Sequence, residues 1–137
     1  MKPLIKTISF LLLISFRLHA QEAKEITTSS GLRYTVLKQG SGAIAKTGQV
    51  VTIYESMSYL SGKLFYSIEK PAPPIKIKLG AKQAIAGVEE GVTGMKVGEI
   101  RQLIVPPALS KRTEYPNNLS KDSTLLYKVE LVQIVKE

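Results

Sequence analysis

His19 is the only histidine among the 137 residues, Asp122 is the only aspartate, and there is no cysteine or tryptophan. His19 falls in an N-terminal stretch that reads as a removable targeting segment, so the domain behind it holds neither an imidazole nor a thiol. A Ser-His-Asp or Cys-His nucleophile cannot be assembled from such a set. A transition-metal site built on histidine or cysteine cannot be assembled either, and no cofactor is expected. What remains for chemistry is shape, apolar surface, backbone N–H and C=O groups, a few carboxylates and six tyrosines.

The N-terminal stretch has the layout of a secretory signal. Lys2 and Lys6 open it, an apolar run follows from Ile8 to Phe16, and Leu18-His19-Ala20 precedes Gln21. The run is shorter than the about 20 apolar residues that a membrane span needs. Cleavage after Ala20 is expected, with no transmembrane helix left behind; an uncleaved anchor or a buried N-terminal helix is the alternative. An exported chain, in the periplasm or cell envelope or else secreted, follows from this. Cleavage takes away Lys2, Lys6 and Arg17 and no acid, so 19 basic residues become 16 against 11 acidic ones, a net charge of +5. The excess is scattered along strands such as Ile75-Lys76-Ile77-Lys78, with no basic cluster interleaved with aromatics, so nucleic acid is not an expected partner.

The remaining chain divides into a polar, flexible lead-in over 21–30 and one domain over 31–137. Alternation predicts strands over Leu32–Leu37, Val50–Tyr59, Lys63–Ser67 and Ile75–Leu79. The period then changes. Ile85, Val88, Val92 and Met95 fall on one face of a short helix, and Gly87 and Gly91, four apart, predict close packing of that helix on a sheet. Ile100–Val105 is a strand stopped by Pro106-Pro107, and 108–123 reads as a long loop. Thr124–Val135 is apolar on both faces and is placed centrally. The fold class is α+β: a curved antiparallel sheet of about five or six strands wrapped around one short helix.

One segment carries a recognisable signature. It runs Leu79-Gly80, Ile85, Gly87, Glu89-Glu90-Gly91, Gly94-Met95, Val97-Gly98-Glu99, Arg101, Leu103, Val105-Pro106-Pro107 and Leu109. It closely resembles the core of FKBP-type peptidyl-prolyl isomerases. Gly48-Gln49-Val50-Val51-Thr52-Ile53, Gly62-Lys63-Leu64-Phe65 and Ser123-Thr124-Leu125-Leu126-Tyr127-Lys128-Val129-Glu130-Leu131 match further family segments in order. The resemblance covers about residues 31–136. It implies a pocket between helix and sheet that catalyses rotation about the bond preceding proline, with proline-containing or unfolded exported polypeptides as partners. The alternative is a non-catalytic module of the same fold that binds a peptide or a protein. The oligomeric state is left open.

Carried over residue by residue, the resemblance places Phe65 on a family phenylalanine and Ile85 on the residue whose backbone N–H holds the ligand. Tyr127 stands for a phenylalanine, Val88 for the tryptophan that commonly floors the pocket, Ile75 for another aromatic and Ala84 for a larger aliphatic. Tyr66 replaces an aspartate, Lys111 lies near a hydrogen-bonding tyrosine, and Glu55 aligns with another tyrosine. The implied pocket is a divergent one, and reduced activity is expected of it. Alternation puts Glu55 on the same side as Val51, Ile53 and Met57, facing the core. An unpaired carboxylate there is costly, so Lys111, Tyr66 or Tyr127 is expected to partner it. The alternative is a one-residue bulge that turns Glu55 out and Tyr54 in.

Overall fold

A computed structural model describes residues 23–136. The expected targeting segment, 1–20, lies outside them. Among the described residues, seven strands, one helix and one turn of 3-10 helix make up the fold. The strands are β1 (Glu25–Thr27), β2 (Arg33–Lys38), β3 (Val50–Tyr59), β4 (Leu64–Ile68), β5 (Ile75–Lys78), β6 (Ile100–Val105) and β7 (Leu125–Val135); α1 spans Ala86–Val92 and lies between β5 and β6. All pairings are antiparallel, in the order β1-β2-β6-β7-β3-β4, with β5 also paired to β3.

The sheet has one strand more than the upper sequence expectation. Glu25–Thr27, in the stretch read as a flexible lead-in, pairs with β2 instead. Its three residues are all exposed, so pairing holds it there and burial does not. The long final strand is central, between β6 and β3. Leu125, Tyr127, Val129 and Leu131 form its buried face, while Leu126, Val132 and Ile134 on the other parity are half-buried.

β3 is long enough to hold two partners in succession on one edge. Val50 to Ile53 pair with β5, and Glu55 to Ser58 pair with β4. The inner face so formed carries Val51, Ile53 and Met57, all buried. Helix α1 packs on β6 and β7 and lays Val88 and Val92 into the core. It lies close to the sheet because Gly87 and Gly91 have no side chains. A Cβ on Gly91 would stand 2.4 Å from Leu103 Cδ1, and one on Gly87 would stand 2.5 Å from Val105 Cγ1.

The helix end is tied down by a buried ion pair. Arg101 Nε donates to Glu99 Oε2. The Arg101 guanidinium also donates to Gly91 O (3.2 Å) and Gly94 O (3.4 Å) and lies 4.5 Å from the Tyr34 ring centroid. A cation at this end satisfies carbonyls that the helix leaves open and opposes the negative end of its dipole. At the other end Ile85 is the N-cap residue, with extended dihedrals and no side-chain cap.

Candidate functional site

A cleft of about 880 Å³ lies between α1 and the inner face of β3 and β5. Its apolar floor comes from Ile53 on β3, Ile75 and Ile77 on β5, and Val88 on α1. Strand pairing explains the grouping. Ile75 lies opposite Ile53 and Ile77 opposite Val51, so the four share the inner face. Ala84 and Ile85, leading into α1, form one wall, and Lys111 to Thr113, just after the 3-10 turn, form the other.

One part of the cleft is polar. Glu55 lines the cleft, as alternation along β3 predicts, and the Tyr66 hydroxyl donates to its Oε1. Tyr54, its neighbour, points away, and its hydroxyl donates to Ala72 O at 2.9 Å. The expected partners sort themselves accordingly. Tyr66 pairs with Glu55 directly. Tyr127 sits beside them, donates to Met57 Sδ at 2.9 Å and accepts from Arg112 Nη2 at 3.1 Å. Lys111 lines the cleft without pairing with Glu55; the cation that acts on the carboxylate is Arg112, with no ion pair between them.

Burial raises the Glu55 carboxyl above its ordinary value of 4.5, against the pull of the Tyr66 hydrogen bond and the Arg112 charge. Burial also raises both phenols, Tyr66 well above the ordinary tyrosine range and helped there by the neighbouring Glu55 charge, so both remain hydrogen-bond donors. Glu89 adds a second carboxylate to the cleft, and its Oε1 is buried without a hydrogen-bond partner among the described residues.

Of the residues singled out in the sequence, Glu55, Tyr66, Ile75, Ala84, Ile85, Val88, Lys111 and Tyr127 all line this cleft. Phe65 does not, and that expectation is corrected. The register of β3 with β4 slips by one between Met57 and Ser58: Ser58 faces Leu64, but Met57 faces Tyr66. The slip hands the inward place opposite Met57 to Tyr66. Phe65 packs edge-on against Tyr59 instead, with centroids 4.7 Å apart. Arg112 and Glu89 are site residues that the sequence reading did not pick.

Ile85 has a further property. Its backbone N–H makes no hydrogen bond among the described residues, whereas its carbonyl accepts from Val88 N (3.0 Å) and Glu89 N (3.1 Å). A free donor therefore stands at the apolar cleft, at the start of a helix.

Residues 42–132 match the family model described as FKBP-type peptidyl-prolyl cis-trans isomerase. The chain is 36% identical over 116 residues to the 46 kDa FK506-binding nuclear protein of Spodoptera frugiperda, covering 83% of this chain and 27% of that one. It is 35% identical over 103 residues to FK506-binding protein 1 of Dictyostelium discoideum, covering 74% of this chain and 96% of that one. The solved structure of FkpA from Escherichia coli superposes with a TM-score of 0.72 at 29% identity, covering 84% of this chain and 53% of that one. The chain thus spans about half of the bacterial structure and about a quarter of the insect relative. The fold, the order of its motifs and these matches agree: the chain belongs to the FKBP-type peptidyl-prolyl cis-trans isomerase family.

Proposed function

We propose that this chain is a peptidyl-prolyl cis-trans isomerase for proline-containing or unfolded exported polypeptides, slower than a member with an aromatic-walled pocket. The observation that carries the reading is the free Ile85 N–H beside an apolar floor. The barrier to rotation, about 18–20 kcal/mol for a peptide bond, comes from amide resonance. Left alone, an X-Pro bond takes tens to hundreds of seconds to turn. A twisted amide has lost its resonance and is less polar than the planar form, so a dry floor of Ile53, Ile75, Ile77 and Val88 favours it. The Ile85 N–H holds the substrate carbonyl while the prolyl ring turns. No bond breaks, which suits a domain without histidine or cysteine.

The slower rate follows from the lining. Burying a large apolar side chain is worth about 1.5–3 kcal/mol, and Val88 and Ile75 offer a prolyl ring less contact than aromatics do. Glu55 brings a carboxylate to the same cleft. The second reading, a non-catalytic peptide-binding module, is favoured by the polar group of Glu55, Tyr66, Tyr127 and Arg112, which suits a hydrogen-bonding ligand better than a bare ring. Isomerisation of a short X-Pro peptide by the purified chain decides between them. Acceleration over the uncatalysed rate supports the enzyme, binding without acceleration supports the module, and neither overturns both.

The exported destination, with the periplasm or cell envelope preferred, rests on Lys2, Lys6 and the Ile8–Phe16 run. Intact-mass analysis of protein recovered from the exporting cell is expected to show a chain starting at Gln21. A chain that retains Met1 sinks this part of the reading.

A further inference from the structure

The cleft continues past Arg112. Lys111 and Arg112 line it on one side and also line a second hollow of about 440 Å³, together with Tyr115, Lys121 and Asp122. Three cations meet one acid there. The Tyr115 ring gathers two of them, with Arg112 Cζ 5.9 Å and Lys121 Nζ 5.5 Å from its centroid. Arg112 is already engaged with Ser110 O and the Tyr127 hydroxyl. Lys111 and Lys121 have no carboxylate at ion-pair distance among the described residues, where the ion pairs are Arg33–Glu25 and Arg101–Glu99. The first cleft is mixed in charge, for Glu55 and Glu89 line it together with Lys82, Lys111 and Arg112. The excess of cations over acids is therefore larger in the second hollow, three against one, than in the first cleft, three against two.

We propose that the second hollow is a charge-selective subsite of the first, taking an aspartate or glutamate side chain of a polypeptide whose proline sits at Val88 and Ile85. This rests on reading the first cleft as a prolyl site. An extended chain advances about 3.3 Å per residue, so residues about one to three positions from the proline pass over Lys111 and Arg112. An acid there meets Lys111 and Lys121 and stays clear of Glu55 and Glu89, which line the first cleft alone.

Alanine-rich peptides with one proline and a Glu, Gln or Lys two positions before or after it test the proposal. Titrated into the purified chain and followed by NMR, the Glu peptide is expected to bind about two- to fivefold more tightly than the Gln peptide at low salt, and the Lys peptide more weakly than either. The preference shrinks as salt is added. Lys121→Glu, at an exposed position, is expected to abolish the Glu preference. Equal affinities for the three peptides, a preference unmoved by Lys121→Glu, no binding at all, or a single-stranded oligonucleotide outcompeting every peptide would overturn the subsite. The activity reading fails separately. A Glu preference without isomerisation of any peptide leaves the subsite standing and removes the enzyme. Isomerisation of the Gln peptide without a charge preference does the reverse.

Discussion

The Tyr66 hydroxyl donates to the Glu55 carboxylate inside the cleft, on two strands that are neighbours in the sheet. Met57 explains the meeting. Tyr66 lies opposite Met57, and Glu55 is two residues along from Met57 on the same face of β3.

Glu55 sets a pH dependence of stability. Its carboxyl is raised in the fold above the ordinary value of 4.5, chiefly by burial. Between 4.5 and the raised value the folded chain binds more protons than the unfolded one, so stability falls as pH rises through that window. Glu55→Gln has no proton to lose. In urea denaturation the variant is expected to gain on the parent as pH goes from below 4.5 to neutrality. Parallel pH profiles for the two chains would refute the assignment.

Catalysis offers a second use of the same pair. Glu55→Tyr with Tyr66→Asp restores two residues that the resemblance implies and removes a carboxylate from the Glu55 position of the cleft. The double variant is expected to isomerise X-Pro peptides faster than the parent. No gain, with circular dichroism unchanged, would show that other positions, Val88 first among them, limit the rate.

Alternation along β3 made Glu55 legible in the sequence, and the four-residue spacing of Gly87 and Gly91 made the helix contact legible. Phe65 was not, because strand register belongs to a pair of strands and a slip in one hairpin leaves no trace in either strand alone. Arg112 was missed for a different reason. It sits in a segment without regular structure, where no period says which of two adjacent cations reaches Tyr127 and Glu55. β1 has a single apolar residue, Ile26, and that residue is exposed, so no burial pattern exists to read.

Helix packing gives a prediction of the opposite sign to helix propensity. Alanine is a better helix former than glycine by about 1 kcal/mol. At position 91, however, the new methyl group would press on Leu103, which is wholly buried. Overpacking of this kind costs about 1–3 kcal/mol. Gly91→Ala is expected to destabilise the chain by about 1 kcal/mol net, seen as a lower urea midpoint with an unchanged slope. A raised midpoint would mean that α1 can lift off the sheet.

The Glu99–Arg101 pair is expected to be costly to break from one side. Glu99 is 4% exposed, so Arg101→Leu leaves a buried carboxylate without its cation. Loss of one partner of such a pair costs about 3–5 kcal/mol. Adding Glu99→Gln to Arg101→Leu is expected to restore part of that loss in thermal or urea unfolding. Equal stability of the single and double variants would count against the pair as the cause.

The placing of β7 bears on how the chain comes together as it is made. β1, β2 and β6 lie on one side of β7, and β3, β4 and β5 lie on the other. β7 joins the halves by pairing with both β6 and β3, Val129 standing opposite Arg101 on one edge and Glu55 on the other. A nascent chain that has emerged only as far as β6 therefore holds two partial sheets with no strand between them. Arg112 and Tyr127 are also missing from it, so the hydrogen bonds that join Tyr127 to Met57 and to Arg112 do not exist. The cleft is completed only when β7 pairs with both β6 and β3. Until then the two halves present open backbone edges, which makes the growing chain itself a candidate for the chaperones that shield such edges.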